Sequence, residues 1–319
     1  MKKLLLSAAV AAVMFSCQKN SDTAVMGELN TSNEVVARRG CASHEVLDRQ
    51  IAEDPSLAKR MNDLEEFTKD AIANGRIVNG VLEIPVVFNV LYRTSAENIS
   101  QAQLQSQIDV LNEDFQGRNA DFNTANNPYS SVRAVVGYRF VLDQVIRKQT
   151  TRTSWGTNDA CKKSAQGGLN PTSPTTKLNY WVATIGGGIL GYAQFPGGSS
   201  ATDGVVIDSK YTGRTGTATF PFNLGRTATH EVGHWMNLRH IWGDATCGND
   251  FVSDTPVHNA ANGGVPAVGH RSTCSGTPLE MYMNYMDYTD DRGMYMFSLG
   301  QKARMDAVFA VGGSRASFR

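Results

Sequence analysis

Three histidines constrain this chain more than any other feature. In THEVGHWMNLRH, Thr229 to His240, His230 and His234 stand four residues apart. On an α-helix that spacing leaves them about 40° apart around the axis, one turn above the other. Two imidazoles so placed reach a single Zn²⁺ at about 2.0–2.1 Å. His240 lies six residues after His234, and an unbroken helix would aim it about 240° away. The helix must therefore end between them. Asn237 is the expected break, because asparagine enters the left-handed conformation readily. Glu231, next to the first ligand, can take a proton from a zinc-bound water. Three protein ligands and an open fourth position describe a catalytic site, since a structural zinc site is closed.

The spacing resembles the HExxHxxGxxH motif of the metzincin metallopeptidases, with Asn237 where most members have glycine. Taken with GRTATHEVGHW, HIWGD, SDTP and NYMDYTDD, the chain is similar to the pappalysin-type branch, in particular its bacterial cytophagalysin-like members, from roughly Val81 to the C-terminus. That resemblance implies a turn methionine beneath the metal, Met286, and a tyrosine that steadies the oxyanion, Tyr288. It implies an acid, Asp291, at the base of the pocket for the residue just after the cut bond, and hence a preference for Arg or Lys there. It implies a Cys247–Cys274 disulfide, whereas a further family cysteine is replaced by Gly293. Ca²⁺ is the second family metal, for which Asp244, Asp250, Asp254 and Thr255 supply oxygen donors. ARRGCASHEVL resembles the family's propeptide, in which a cysteine thiolate, here Cys41, occupies the open position on zinc and gives latency. The residues alone leave open a rival role for Cys41, a disulfide to Cys161.

The N-terminus reads as an export signal. Lys2 and Lys3 precede an apolar run, Leu4 to Phe15, too short to span a bilayer in the mature protein. It ends at Ser16-Cys17, which resembles a bacterial lipoprotein cleavage box, so Cys17 is expected to carry lipid; an ordinary secretory peptide is the alternative. Residues 1–17 are then signal, 18–76 tether and propeptide, and 77–319 the peptidase domain. Asn74-Gly75 and Asn79-Gly80 break the pattern, and removal of the propeptide is expected near Gly75–Ile77. The protein is expected at the outer membrane or cell surface, or in the periplasm, with secretion as the alternative. Its expected partners are protein or peptide substrates, and the membrane through its anchor. Lys+Arg and Asp+Glu are 30 each, so zero net charge gives no argument for nucleic acid.

Helical periodicity covers Cys41 to Ala73. Strands are expected at Ile84–Tyr92, Tyr138–Ile146, Leu178–Ile185 and Gly204–Asp208, with a rim strand inside Gly186–Gly198. A helix opens at Ser100 with a capping box to Gln103, and another after Phe297 with Ser298 and Gln301. The zinc helix is expected to begin near Thr227. This order predicts an α+β metzincin fold: a mixed twisted sheet with backing and active-site helices above a loop-rich C-terminal subdomain, preceded by the helical propeptide. The expected activity is that of a latent zinc endopeptidase. The alternative, a surface-anchored binding protein on the same fold, has no need of the intact Glu231.

Overall fold

Pro55 divides the N-terminal helical stretch into two. The computed structural model describes residues 38–75 and 81–319, and in it α1 (Ser43–Glu53) and α2 (Ser56–Ala73) flank that proline. Proline has no N–H to donate and its ring clashes with the preceding turn, so one continuous helix gives way to two. The signal segment, Cys17 and the tether lie outside the described residues, as do 76–80 at the expected processing join.

The chain then lays down a five-stranded sheet from β1 (Glu83–Tyr92), β2 (Arg139–Gln149), β3 (Leu178–Val182), β4 (Gly191–Ala193) and β5 (Val205–Ile207), in the order β2-β1-β3-β5-β4. The first four strands of that order run parallel, and β4 is antiparallel to β5. Parallel neighbours need a long crossover. Between β1 and β2 it contains α3 (Gln101–Phe115). Side chains alternate across the sheet with period two. Val86, Phe88 and Val90 face the large core shared with Leu104, Ile108, Leu111 and Phe115 of α3. Leu91, Trp181, Tyr192 and Val206 face a second core that also takes Val46 of α1.

Each expected strand is present, with ends moved by a few residues. Gln103 departs further from expectation. Ser100 Oγ accepts from Gln103 N at 3.1 Å, but the Gln103 side chain does not return to the cap. It is buried, donating to Thr212 O at 2.9 Å and accepting from Thr217 N at 3.1 Å. A buried amide goes where it satisfies both its groups, and here that is the loop after β5.

The zinc-motif helix α4 (Arg226–Trp235) starts one residue before the expected Thr227, after Gly225 at φ +78°. Every residue in it is buried. It packs between the sheet and the C-terminal half, where the chain is irregular but for a short 3-10 turn at Asp291–Gly293 until α5 (Leu299–Phe309). The Ser298–Gln301 capping box is complete, and Met305, Val308 and Phe309 are buried as the periodicity predicts. Cys247 and Cys274 are joined in a disulfide across the irregular stretch. Closing a loop of 27 residues is worth about 3.5 kcal/mol in chain entropy. A Cys247→Ser/Cys274→Ser double variant should accordingly lose several degrees of Tm in a calorimetric scan of non-reduced protein.

Candidate metal centre

The local chain makes the break that the spacing demands. Asn237 sits at φ +71°, Asn237 N donates to His234 O at 2.9 Å and Leu238 N to Gly233 O at 2.9 Å. The turn brings the third imidazole back toward the helix. His234 Nε2 then lies 3.1 Å from Nε2 of His230 and 3.1 Å from Nε2 of His240.

The other ring nitrogens fix the tautomers. His230 Nδ1 is 2.7 Å from Tyr285 O, His234 Nδ1 is 2.8 Å from Leu238 O, and His240 Nδ1 bonds the Asp244 carboxylate. Each of these oxygens can only accept, so each Nδ1 carries the proton and each Nε2 offers a lone pair. Three lone pairs meeting in a buried space repel one another unless a cation lies between them. Burial first, then the neighbouring imidazoles, holds His230 and His234 well below the usual histidine range. Neutral imidazoles with converging lone pairs are what a divalent transition metal requires, so the donor set fits the zinc that the motif implies.

Cys41 closes the fourth side. Its Sγ and the three Nε2 atoms lie within 4.8 Å of one another, and among the described residues this is the one group of three or more such side chains close enough to share an ion. Cys41 and Cys161 are both free and buried, and Cys161 instead faces the Tyr192 hydroxyl at 3.4 Å. The strand-like segment Gly40–Ala42 reaches the site by completing the open sheet edge: Ala42 N donates to Gly191 O and Leu190 N to Gly40 O.

Glu231 lies beside the cluster. Ser43 Oγ donates to its Oε2 at 2.8 Å and the Cys41 thiol to the same oxygen at 3.4 Å. Burial pushes its carboxyl up to about 7. Met286 forms the floor, and its packing explains Gly233: a Cβ there would stand 2.5 Å from Met286 Sδ. The Tyr288 hydroxyl donates to Cys41 O at 3.2 Å, with its ring 5.0 Å from that of His240.

Asp291 is fully buried at the mouth of α4. Its Oδ2 accepts from Leu224 N at 2.8 Å and Arg226 N at 3.3 Å, where the helix dipole favours an anion. Oδ1 receives Arg39 Nη2 at 2.6 Å. Arg39 is itself buried, donates to Thr227 Oγ1 at 2.9 Å and lies 4.9 Å over the Phe222 ring. A guanidinium therefore sits on this carboxylate, two residues before the cysteine at the metal cluster. Neighbouring Asp290 stands apart from this pair, facing Arg292 at 3.9 Å.

The residues expected at calcium are spread over different tasks. Asp244, read from sequence as one of the oxygen donors, instead holds His240, because it follows that ligand by four residues on the same turn. Asp254 caps α5, accepting from Ser298 Oγ at 2.6 Å and Gly300 N at 2.8 Å. Thr255 Oγ1 bonds Asp250 at 2.8 Å and Val252 O at 2.9 Å. Sequence reading also passes over Ser43 and the Asp114–Arg226 pair at 3.7 Å, in which Asp114 accepts from Thr229 Oγ1 at 2.7 Å and steadies α4. No local motif marks those three.

Comparison with known proteins agrees with this geometry. A peptidase family model described as pregnancy-associated plasma protein-A matches residues 182–310. An extracellular metalloprotease of Pyricularia oryzae is 34% identical over 252 residues, 76% of this chain and 80% of the relative. A Tannerella forsythia promirolysin mutant superposes with TM-score 0.80 at 38% identity, covering 88% of this chain and 97% of that one. Mature mirolysin of the same organism, in complex with a cleaved peptide, gives TM-score 0.73 at 40% identity over 76% and 96%.

If Asp244 orients His240, Asp244→Ala should weaken zinc binding about 10–100-fold, measured by competition with a chromogenic chelator.

Proposed function

The chain belongs to the pappalysin family of metzincin metallopeptidases, and on that premise we propose an exported, lipid-anchored zinc endopeptidase made as a latent zymogen. The observation that carries the reading is the meeting of His230, His234 and His240 with Cys41 as a fourth donor and Glu231 alongside. Zn²⁺ held by the three imidazoles supplies Lewis-acid chemistry, lowering the pKa of a water toward about 7 and polarising the substrate carbonyl. Glu231 takes the proton of the attacking water and returns it to the leaving amine. A carboxylate placed beside the attacking water suits both transfers. The Tyr288 hydroxyl, released from Cys41 O when the prosegment leaves, donates to the oxyanion of the tetrahedral intermediate. Met286 is an apolar floor with no ligand role.

Latency follows from the same contacts. Cys41 occupies the fourth side of the metal cluster, Ser43 ties up Glu231, and Arg39 fills the pocket built on Asp291. The fit of Arg39 supports a preference for arginine or lysine just after the cut bond, since buried Asp291 matches a guanidinium through charge and Thr227 through a hydrogen bond. Removal near Gly75–Ile77 would free all three groups. The export signal and Cys17 support anchoring, with the catalytic domain displayed outside the membrane. The metalloprotease relatives in fungi are named extracellular.

Calcium belongs to the same proposal through the Asp250–Thr255 loop. Burial pushes the Asp250 carboxyl up to about 6 despite the positive charge of Arg304, and a hard cation in the loop would offset more of that desolvation. The folded state binds the proton more tightly than the unfolded chain. The group's contribution to stability is therefore full below about pH 4 and is lost as pH rises through about 6. Without calcium, Asp250→Asn should exceed wild type by about 3 kcal/mol at pH 7.5, with the gap closing as pH falls through about 6 toward about 4. Added Ca²⁺ should reverse the order in thermal unfolding, and an unchanged wild-type Tm would remove calcium from the reading.

The zinc mechanism is tested by turnover of a peptide carrying Arg after the cut bond. Glu231→Ala should lower kcat about 10²–10⁴-fold with zinc stoichiometry retained. Cys41→Ala should show activity before the prosegment is cut; persistent latency in that variant counts against the thiol's role. Asp291→Asn keeps an acceptor for the α4 amides, and should reduce kcat/KM for Arg substrates roughly hundredfold while sparing apolar ones.

A further inference from the structure

Helix α2 covers a part of the catalytic domain to one side of the metal cluster, where Phe195 stands between it and His234 with rings 5.3 Å apart, and the two surfaces are charge-matched. Leu57 and Met61 pack on Phe195, Arg60 Nε donates to Gly197 O at 2.9 Å, and Phe67 lies against Gly312. Glu65 makes a two-pronged ion pair with Arg304, at 2.7 and 2.9 Å, where the arginine side chain is only 3% exposed. Arg304 also donates to Asn237 O at 3.2 Å, the carbonyl of the turn that delivers His240. Beside it, Arg239 lies 4.7 Å over the Phe195 ring, its buried Nε has no hydrogen-bond partner, and it faces the carboxylates of Glu65, Asp244 and Asp48.

Two of those three carboxylates, Glu65 and Asp48, belong to the segment that is shed on maturation, while Asp244 stays behind on His240. Shedding would therefore leave an apolar floor with Arg304 deprived of its ion-pair partner and Arg239 left with Asp244 alone. A buried guanidinium that loses its carboxylate is among the costlier groups to leave unpaired. We propose that this groove, centred on Arg304 and Arg239, is a docking site in the mature enzyme for an acidic amphipathic helix of the protein substrate, outside the residues that flank the cut bond. The inference rests on the zymogen reading, because it needs α2 to leave. The partner's chemistry is that of α2 itself: apolar residues at helical spacing with a carboxylate placed to meet Arg304. Docking at the groove raises the local concentration of the cleavable segment without touching the reacting atoms.

The test uses matured enzyme and three fluorogenic substrates with one cleavable core. One is the bare core, one carries residues 56–73 through a flexible Gly/Ser linker, and one carries the same extension with Glu65→Gln. The acidic extension should lower KM at least about tenfold with kcat unchanged, and the Glu65→Gln extension should return KM most of the way to that of the bare core. In an Arg239→Gln enzyme, the KM ratio of bare to extended substrate should fall toward one. Equal KM for the unsubstituted and Glu65→Gln extensions, with the prosegment shed, overturns the groove alone. N-terminal sequencing that finds residues 38–75 still attached to the active enzyme overturns the zymogen reading and the groove together.

Discussion

Three imidazole lone pairs aimed at one buried point are the constraint on which the rest of the structure depends. Such an arrangement is unfavourable until a cation is present, so its supports must be rigid and sheltered. The chain provides them on every side. Helix α4 is buried along its length, backbone oxygens at Tyr285 and Leu238 hold two rings, and Asp244 holds the third. Met286 packs so closely on Gly233 that a side chain there would have to displace its sulfur. Rigidity of this kind lets a ligand set hold its geometry while the fourth position changes occupant.

The N-terminal segment binds around the metal cluster through several contacts at once. One short run, Arg39 to Ser43, engages Asp291, the metal cluster, the sheet edge and Glu231 in succession. Each contact is local and modest, yet they share a single backbone and are made or lost together. That coupling is what separates an inhibitory segment from a chain merely resting in a cleft.

How much of this is legible in the sequence depends on the range of each interaction. His230, His234 and Glu231 can be read because helical spacing converts sequence distance into direction, and Asn237 because the third ligand requires a break. The capping box at Ser298 is equally local and is present in full. The one expected at Gln103 is not, because tertiary contacts claim its side chain. Asp244 reads as a calcium donor since its composition and loop context say "oxygen ligand", while its bond to His240 depends on how the turn closes. The pairing of Glu65 with Arg304 joins positions far apart in the chain, and no periodicity carries that information.

The sheet edge has one more consequence. In the latent form Gly40–Ala42 sits along β4, so the strand's outward amides and carbonyls are not left open. Once uncovered, an edge of this kind can recruit another copy of the chain and begin aggregation. β4 spans only Gly191–Ala193, and glycines in the left-handed conformation at Gly187, Gly188 and Gly197 turn the chain on either side. So brief a template offers too few rungs for stable self-association between enzyme molecules, and the cleft can open without making the protein sticky.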